Sequence, residues 1–331
     1  MSFSTRVAWT PAYELIISLQ AFIASKVHKV IDLGPGWVAR VKKNLPADFL
    51  AETHALDQDR ALLERTFFGT DILVWQGPES RDPEGFMAWL ASLSPGEIYE
   101  RLAPHVPEDA DLPRDLGATR DAAVKLFRAW HEGYFRGIDS GILTQLAQEA
   151  SAREIARVAQ APGAGPEAAR FVETTTGGVV FEDLPPGLKE IVLVPQFHFQ
   201  PLNAIGPFRS SIVVGYSPEI GSLAEGEPSA DLLRRTKAVA DGSRLRILRF
   251  LAQSAAEPAR SLTDIAAATR LSASTVLHHL LTLRSAGLVR THFNPRRPDR
   301  YSQRRAGFAE MLARLESYAG AGTTPEDGRP E

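Results

Sequence analysis

Apolar residues recur at helical spacing through most of the first 160 positions. Leu15, Ile16, Leu19, Phe22 and Ile23 share one stripe and predict a first helix over 11–31, closed by Asp32-Leu-Gly-Pro-Gly36. Further helices are expected over 37–43 and 57–68. Two short ones, 83–92 and 95–102, begin with a proline whose fixed φ suits a first helical position. Leu116, Val124, Phe127 and Trp130 mark a long helix over 113–135, and 142–159 continues as another. The pattern changes after Ala161-Pro-Gly-Ala-Gly-Pro166. Residues 171–180, 190–199 and 211–216 are rich in Val, Ile and Phe and read as strands, with turns at Pro185-Pro-Gly187 and Ile205-Gly-Pro207.

A third pattern follows the polar connector 217–228. Residues 231–240 are amphipathic. In 241–251, Leu245, Leu248 and Leu251 sit at helical spacing with arginines between them. A short helix over 261–269, with Leu262, Ile265 and Ala266 inward, leads to the turn Arg270-Leu-Ser272. Ser272 is a good N-cap for a helix over 273–285, whose buried stripe is Val276, Leu280 and Leu283. Gly287 closes that helix, and strands over 288–293 and 300–303 flank the loop Asn294-Pro-Arg-Arg-Pro-Asp299. Helix, tight turn, helix and basic hairpin make a winged helix-turn-helix. The fold class is therefore α+β: a mainly helical N-terminal domain with a small antiparallel sheet (1–228), a C-terminal winged helix-turn-helix (229–319) and a disordered tail (320–331).

Charge sharpens this division. Residues 231–318 carry 16 Lys and Arg against 7 Asp and Glu, whereas residues 1–230 carry 20 against 30. A basic module on an acidic body indicates that the module alone meets a polyanion. With 44% hydrophobic residues, no long apolar run and no basic-then-apolar leader at the N-terminus, a cytoplasmic protein without a membrane partner is expected. Cysteine is absent, which excludes disulfides, thiolate metal sites and cysteine nucleophiles.

The segment Ala240-Asp-Gly-Ser-Arg-Leu-Arg-Ile-Leu-Arg-Phe-Leu251 resembles the opening helix of ArsR-type regulators. Leu262-Thr-Asp-Ile-Ala266 and Leu271-Ser-Ala-Ser-Thr-Val-Leu-His-His-Leu280 resemble their helix-turn-helix, and Leu283-Arg-Ser-Ala-Gly-Leu-Val289 their exit into the wing. The resemblance covers about a quarter of the chain. It implies a homodimer that binds double-stranded DNA at a promoter and represses it until an effector binds.

The expected DNA-binding residues are Ser272, Ala273, Ser274, Thr275, Leu277, His278 and His279 on the recognition helix, with Arg284 near its end. Hydroxyl and imidazole groups there can meet base edges or phosphates. Leu277, where related sequences often carry a small polar residue, suits either a thymine methyl or packing in its own domain. Arg296, Arg297 and Arg300 at the hairpin tip suit phosphate or minor-groove contact. No metal or other cofactor is expected: the family's cysteine site is replaced by Ser261-Leu-Thr-Asp-Ile265, residues 305–318 hold no histidine, and adjacent His278 and His279 face different sides of a helix.

The N-terminal body carries no catalytic signature. Gly34-Pro-Gly36 lacks the remainder of a dinucleotide fingerprint, and no nucleophile elbow, P-loop or zincin pattern occurs. His198 reads as a satisfied sheet histidine, and Trp37, Trp75, Trp89 and Trp130 read as core. A sensor with a small-molecule effector, a dimerising or protein-binding body, and an enzyme carrying a regulatory appendage all remain open for this region.

Overall fold

The computed structural model describes residues 3–77, 82–106, 112–161, 163–182, 184, 187–218, 227–253, 259–294 and 297–320. The chain divides into two compact units, Met1–Phe171 with Pro185–Ile220, and Val172–Leu184 with Gly221–Glu331. Among the described residues no helix is long and apolar enough to cross a membrane.

The N-terminal unit opens with β1 (Ser4–Val7) and α1 (Pro11–Ile23), and continues through α2 (Gly34–Val41), α3 (Ala47–Gln58), α4 (Arg60–Thr66) and α5 (Thr70–Leu73). Then come α6 (Pro83–Ser92), α7 (Pro95–Leu102), α8 (Leu116–Gly133), α9 (Ser140–Gln160) and the start of α10 (Pro166–Thr175). The expected proline-led helices 83–92 and 95–102 form over those spans, α7 closed at its start by a Ser94/Glu97 capping box. The first helix stops at Ile23, short of 31. The expected helix over 57–68 is two helices, because Asp59 leaves helical geometry and its side chain accepts the amide of Leu62 to cap α4.

Helix α1 is buried almost all round, as a helix at the centre of a core must be. Trp37, Phe49, Phe127 and Trp130 belong to the same core, and Phe22 of α1 meets the rings of Trp37 and Trp130. Two polar side chains of α1, Glu14 and Ser18, are fully covered and partnered. Ser18 Oγ donates to the Leu15 carbonyl and accepts from Trp130 Nε1 at 2.8 Å. Glu14 accepts the amides of Phe197 (3.2 Å) and His198 (3.1 Å) and, at 2.6 Å, His198 Nδ1. Tyr134 donates its hydroxyl to the other ring nitrogen of His198 at 2.8 Å. His198 is thus a satisfied core histidine, in a turn beyond the strand end. Trp37 and Trp130 are buried in the core, and Trp75 and Trp89 pack on it partly covered.

The sheet of this unit corrects the antiparallel expectation. Strands β2 (Val179–Phe181), β3 (Glu190–Pro195), β4 (Ile205–Pro207) and β5 (Ser211–Tyr216) follow α10. The order in the sheet is β1-β3-β5-β4, with β1, β3 and β5 parallel and β4 alone antiparallel. Ile191-Val192-Leu193-Val194 is a continuous apolar run buried on both faces, the mark of a parallel strand, rather than the alternation of a half-solvated hairpin. The third expected strand divides differently too. Ala168, Phe171 and Val172 lie on one buried helical face, so α10 runs on to Thr175 through the first half of 171–180, and only 179–181 is extended. That strand, β2, joins the second sheet.

Asp71, on α5, sits in an apolar environment with one carboxylate oxygen lacking a partner, and burial pushes its pKa up to about 6. A carboxyl that folds with a raised pKa binds more protons folded than unfolded. Stability is therefore lost as pH rises from about 4 to about 6, and the loss persists above. Asp71→Asn should stabilise the N-terminal unit by about 1–2 kcal/mol above pH 6 and by almost nothing near pH 4. Urea titrations at both pH values test this, and an equal gain at both would show that the carboxyl is not raised.

Candidate nucleic-acid interface

The C-terminal unit contains α11 (Ala230–Val239), α12 (Gly242–Ala252), β6 (Arg260–Ser261), α13 (Leu262–Thr269), α14 (Ala273–Ser285), β7 (Val289–Asn294), β8 (Arg297–Gln303) and α15 (Arg305–Gly320). Its sheet has the order β2-β7-β8-β6, in which β7 and β8 form the antiparallel wing and β2 pairs parallel with β7. Ion pairs tie the segment 172–184 to the wing: Glu173 to Arg290 at 2.5 Å and Glu182 to His292 at 2.7 Å. The expected strand over 171–180 overlaps β2 only at 179–180, and no sequence pattern announced its pairing with the wing.

Each element of the motif has a local cause. Asp241 caps α12 by accepting the amide of Arg244. Ser261 and Asp264 make a reciprocal capping box at the start of α13. Arg270 terminates that helix in the left-handed region, φ 57°, a conformation that costs a non-glycine residue about 1 kcal/mol. Ser272 then accepts the amide of Thr275 at 3.1 Å and starts α14. Gly287, at φ 65°, turns the chain into β7.

Helix α14 spans the residues expected, and Val276, Leu280 and Leu283 are buried in a core shared with Ile247, Leu248, Leu251 and Ile265. Leu245 is not part of this core. It is half exposed because Ile247, one of its helical neighbours, sets the inward phase of α12. With the stripe of α14 inward, Ser272, Ala273, Ser274, Leu277 and His278 are exposed. Leu277 is thus a surface leucine, 42% exposed, and not a core residue. The Ser272 hydroxyl lies 2.9 Å from that of Ser274 and 2.7 Å from that of Thr275, so the half-buried Thr275 hydroxyl is engaged in the cap.

His279 and Arg284 are placed differently. His279 turns partly inward, its Nδ1 covered and unpartnered, and burial lowers its pKa. Arg284 packs between α14 and the wing. Burial lowers its pKa as well, against the opposing pull of Asp299, and its Nε is covered without a partner. Asp299 in turn is raised by the same burial, with Arg284 pulling it down.

The wing strand β8 begins at Arg297 and not at Arg300, so Arg300 lies within the strand, in register with His292 of β7 and Ser261 of β6. Arg297 and Arg300 are both exposed. Arg296 and the neighbouring Pro295 lie outside the described residues, as does the chain beyond Gly320. Arg270 adds an exposed cation immediately before the recognition helix. Its place in the turn was legible, its outward direction was not. Arg244 is spoken for: it donates to the Ala238 and Lys237 carbonyls, satisfying the end of α11. Among the described residues no cluster of three or more His, Asp or Glu side chains gathers as a metal site.

Residues 241–291 match the family of bacterial regulatory proteins of the arsR type. Among solved structures, the chain is similar to a possible transcriptional regulatory protein (fragment 1–100) from Mycobacterium bovis, 32% identical over 27% of this chain and 90% of that one, with a TM-score of 0.22. It is also similar to a homodimeric winged helix-turn-helix DNA-binding domain from Mycobacterium bovis, a possible ArsR-family transcriptional regulator studied in solution. That one is 25% identical over 34% of this chain and all of that one, with a TM-score of 0.22. No curated protein matches the chain. The segment 241–291 within the C-terminal winged helix-turn-helix thus carries the pattern of the arsR family of bacterial regulatory proteins.

Proposed function

We propose that the protein is a transcriptional regulator that binds an inverted-repeat DNA operator as a homodimer and loses affinity for it when a small effector occupies the N-terminal unit. The observation that carries this reading is the exposed row Ser272, Ala273, Ser274, Leu277 and His278, held outward by the buried stripe of its own helix. Such a helix fits the major groove, where hydroxyl and imidazole groups reach base edges and an exposed leucine meets thymine methyls. Arg270, Arg297 and Arg300 flank it with positive charge for phosphates. Arg284 supports the pose by bracing helix against wing, and His279 by packing beneath the helix.

A single module of this size reads too few base pairs for useful specificity, so two copies are required. Helix α15 carries the surface that would join them. Leu312 and Leu315, one turn apart, are 53% and 41% exposed, with Tyr318 following on the same side. Helix α15 itself is held on α11 by Arg235, which pairs with both Asp231 (2.7 Å) and Glu310 (3.3 Å). Covering the exposed leucines with a second copy would set two recognition helices about one turn of DNA apart, roughly 34 Å.

Leu312→Glu with Leu315→Glu should convert a dimer to a monomer in sedimentation at micromolar concentration and reduce operator affinity at least tenfold, without lowering the melting temperature. A wild-type chain that sediments as a monomer and binds one per site would remove the dimer from this account.

A further inference from the structure

In the N-terminal unit, a cleft of about 480 Å³ lies against one face of the parallel sheet. Ser4, Glu190 and Ser211 stand in one row across β1, β3 and β5, and Arg6, Val192 and Val213 in the next alternate row, so both rows face the same side. Ile72 of α5 and, just beyond it, Trp75 and Gln76 line this face, and His105 lines one edge. The volume is that of a small-molecule site.

The polar groups around the cleft are paired loosely. Gln76 is 3.4 Å from both His105 and the Arg101 carbonyl, and Ser210 is 3.5 Å from His105. Arg6 reaches Glu190 only at 3.3–3.4 Å. All lie at the long limit for hydrogen bonds, whose usual length is about 2.9 Å. The indole nitrogen of Trp75 is covered and has no partner. Groups in this state exchange weak internal bonds for stronger ones when a ligand enters, and a covered, unpaired donor gains most. The apolar part of the lining is aromatic and aliphatic: Trp75, whose ring centre lies 5.4 Å from that of Tyr13 with the planes tilted by 30°, lines the cleft with Ile72, Val192 and Val213.

Charge selects among ligands. Arg6 and Lys189 contribute two positive charges to the lining and Glu190 one negative, while His105, whose pKa burial lowers, contributes none at neutral pH. The balance is one positive charge, and the Arg6 side chain is 42% exposed, accessible to a second partner beside Glu190.

We infer that this cleft binds a planar aromatic monoanion, its ring against Trp75 and the valines and its carboxylate on Arg6 and Lys189. The inference deepens the proposed function, resting on the reading of the N-terminal unit as the sensing part and naming the class of effector.

The test uses the full chain with 2-naphthoate as the probe and 2-naphthalenemethanol as its uncharged counterpart, titrated calorimetrically. Wild type should bind the acid saturably and at least tenfold tighter than the alcohol. Arg6→Gln and Lys189→Gln should each cut that preference severalfold, and together abolish it, with alcohol binding retained. Both side chains are part-exposed, so both variants should melt as wild type does. Absence of saturable binding below millimolar concentration, or a preference unchanged in the double variant, overturns the site. The same samples are tested for operator affinity with and without naphthoate. Arg6-dependent binding that leaves DNA affinity unchanged upholds the site and overturns its sensing role. Failure to bind any DNA in the absence of naphthoate overturns the regulator reading alone.

Discussion

A chain carrying both Ser274→Ala and His278→Ala should bind its operator no better than random DNA, whereas one carrying Arg297→Gln and Arg300→Gln should bind both more weakly and keep its preference. The two sets act through different physics. Ser274 and His278 are exposed on the outer face of α14, the face that meets base edges in the proposed complex. Each good base contact is worth about 1–3 kcal/mol of discrimination, so losing two should erase at least about thirtyfold of preference. The helix itself survives, because Ser272 still accepts the Thr275 amide and the stripe Val276, Leu280 and Leu283 stays buried.

In the proposed complex the arginines of the wing neutralise phosphates, and each phosphate contact adds about 0.9 to the slope of log affinity against log salt. Removing two should flatten that slope by up to about 1.8 on operator and random DNA alike, and including Arg296→Gln should flatten it further. Salt titrations on operator selected from random-sequence DNA, with a scrambled duplex beside it, separate the cases. A slope unchanged by the arginine variants would mean that the wing is solvated in the complex. Retained preference in the Ser274/His278 variant would place the reading surface elsewhere. No part of this selectivity is expected to come from protonation of His279, whose covered ring disfavours the charged form.

Legibility followed how local each cause is. Helix α14 was readable to the residue because its N-cap, its inward stripe and the glycine that ends it all lie within 272–287. The proline-led helices α6 and α7 were readable for the same reason. Leu245 was misplaced because three leucines at suitable spacing fit a stripe that Ile247, Leu248 and Leu251 actually occupy. Strand direction is a long-range property. Ser4-Thr-Arg-Val7 has too little apolar character to suggest a strand by itself, and it becomes one only by pairing with residues 190–193. Strand β2 exists for a comparable reason, since Val179–Phe181 is extended where β7 offers it an edge. The residues of α14 were thus legible as a helix, while the division of its polar side chains into outward and inward faces was not. Outward Ser274 and His278 and inward His279 differ only in how the helix is rotated on its core. The cleft over the N-terminal sheet draws on five separate stretches of chain, and nothing at any one of them marks it.

The largest loss of stability is expected from Glu14→Leu. Glu14 is in the first turn of α1 with no exposed surface, and its carboxylate accepts three donors from the turn after β3: the amides of Phe197 and His198 and the Nδ1–H of His198. That turn cannot pair its amides within the sheet, since β3 ends at Pro195. The carboxylate supplies the missing acceptors and fixes which imidazole nitrogen carries the proton, leaving the other to accept from Tyr134. Leucine fills much the same volume but strands two amides and a ring N–H away from water. Each stranded group costs about 1–3 kcal/mol, so a loss of about 3–5 kcal/mol is expected for the N-terminal unit. Tyr134→Phe removes one hydrogen bond from the far end of the chain and should cost only about 1 kcal/mol. The double variant Glu14→Leu/His198→Leu should lose less than the sum of its singles, because the imidazole no longer needs a partner. Tryptophan emission reports the transition directly: the Trp37 ring centre lies 5.6 Å from that of His198, and the Trp130 ring 4.7 Å from that of Tyr134. Urea unfolding followed by that emission measures all four chains. A Glu14→Leu variant within about 1 kcal/mol of wild type would show that the turn finds its acceptors without the carboxylate, and that the buried Glu14–His198–Tyr134 chain is not what pins residues 196–200 to α1.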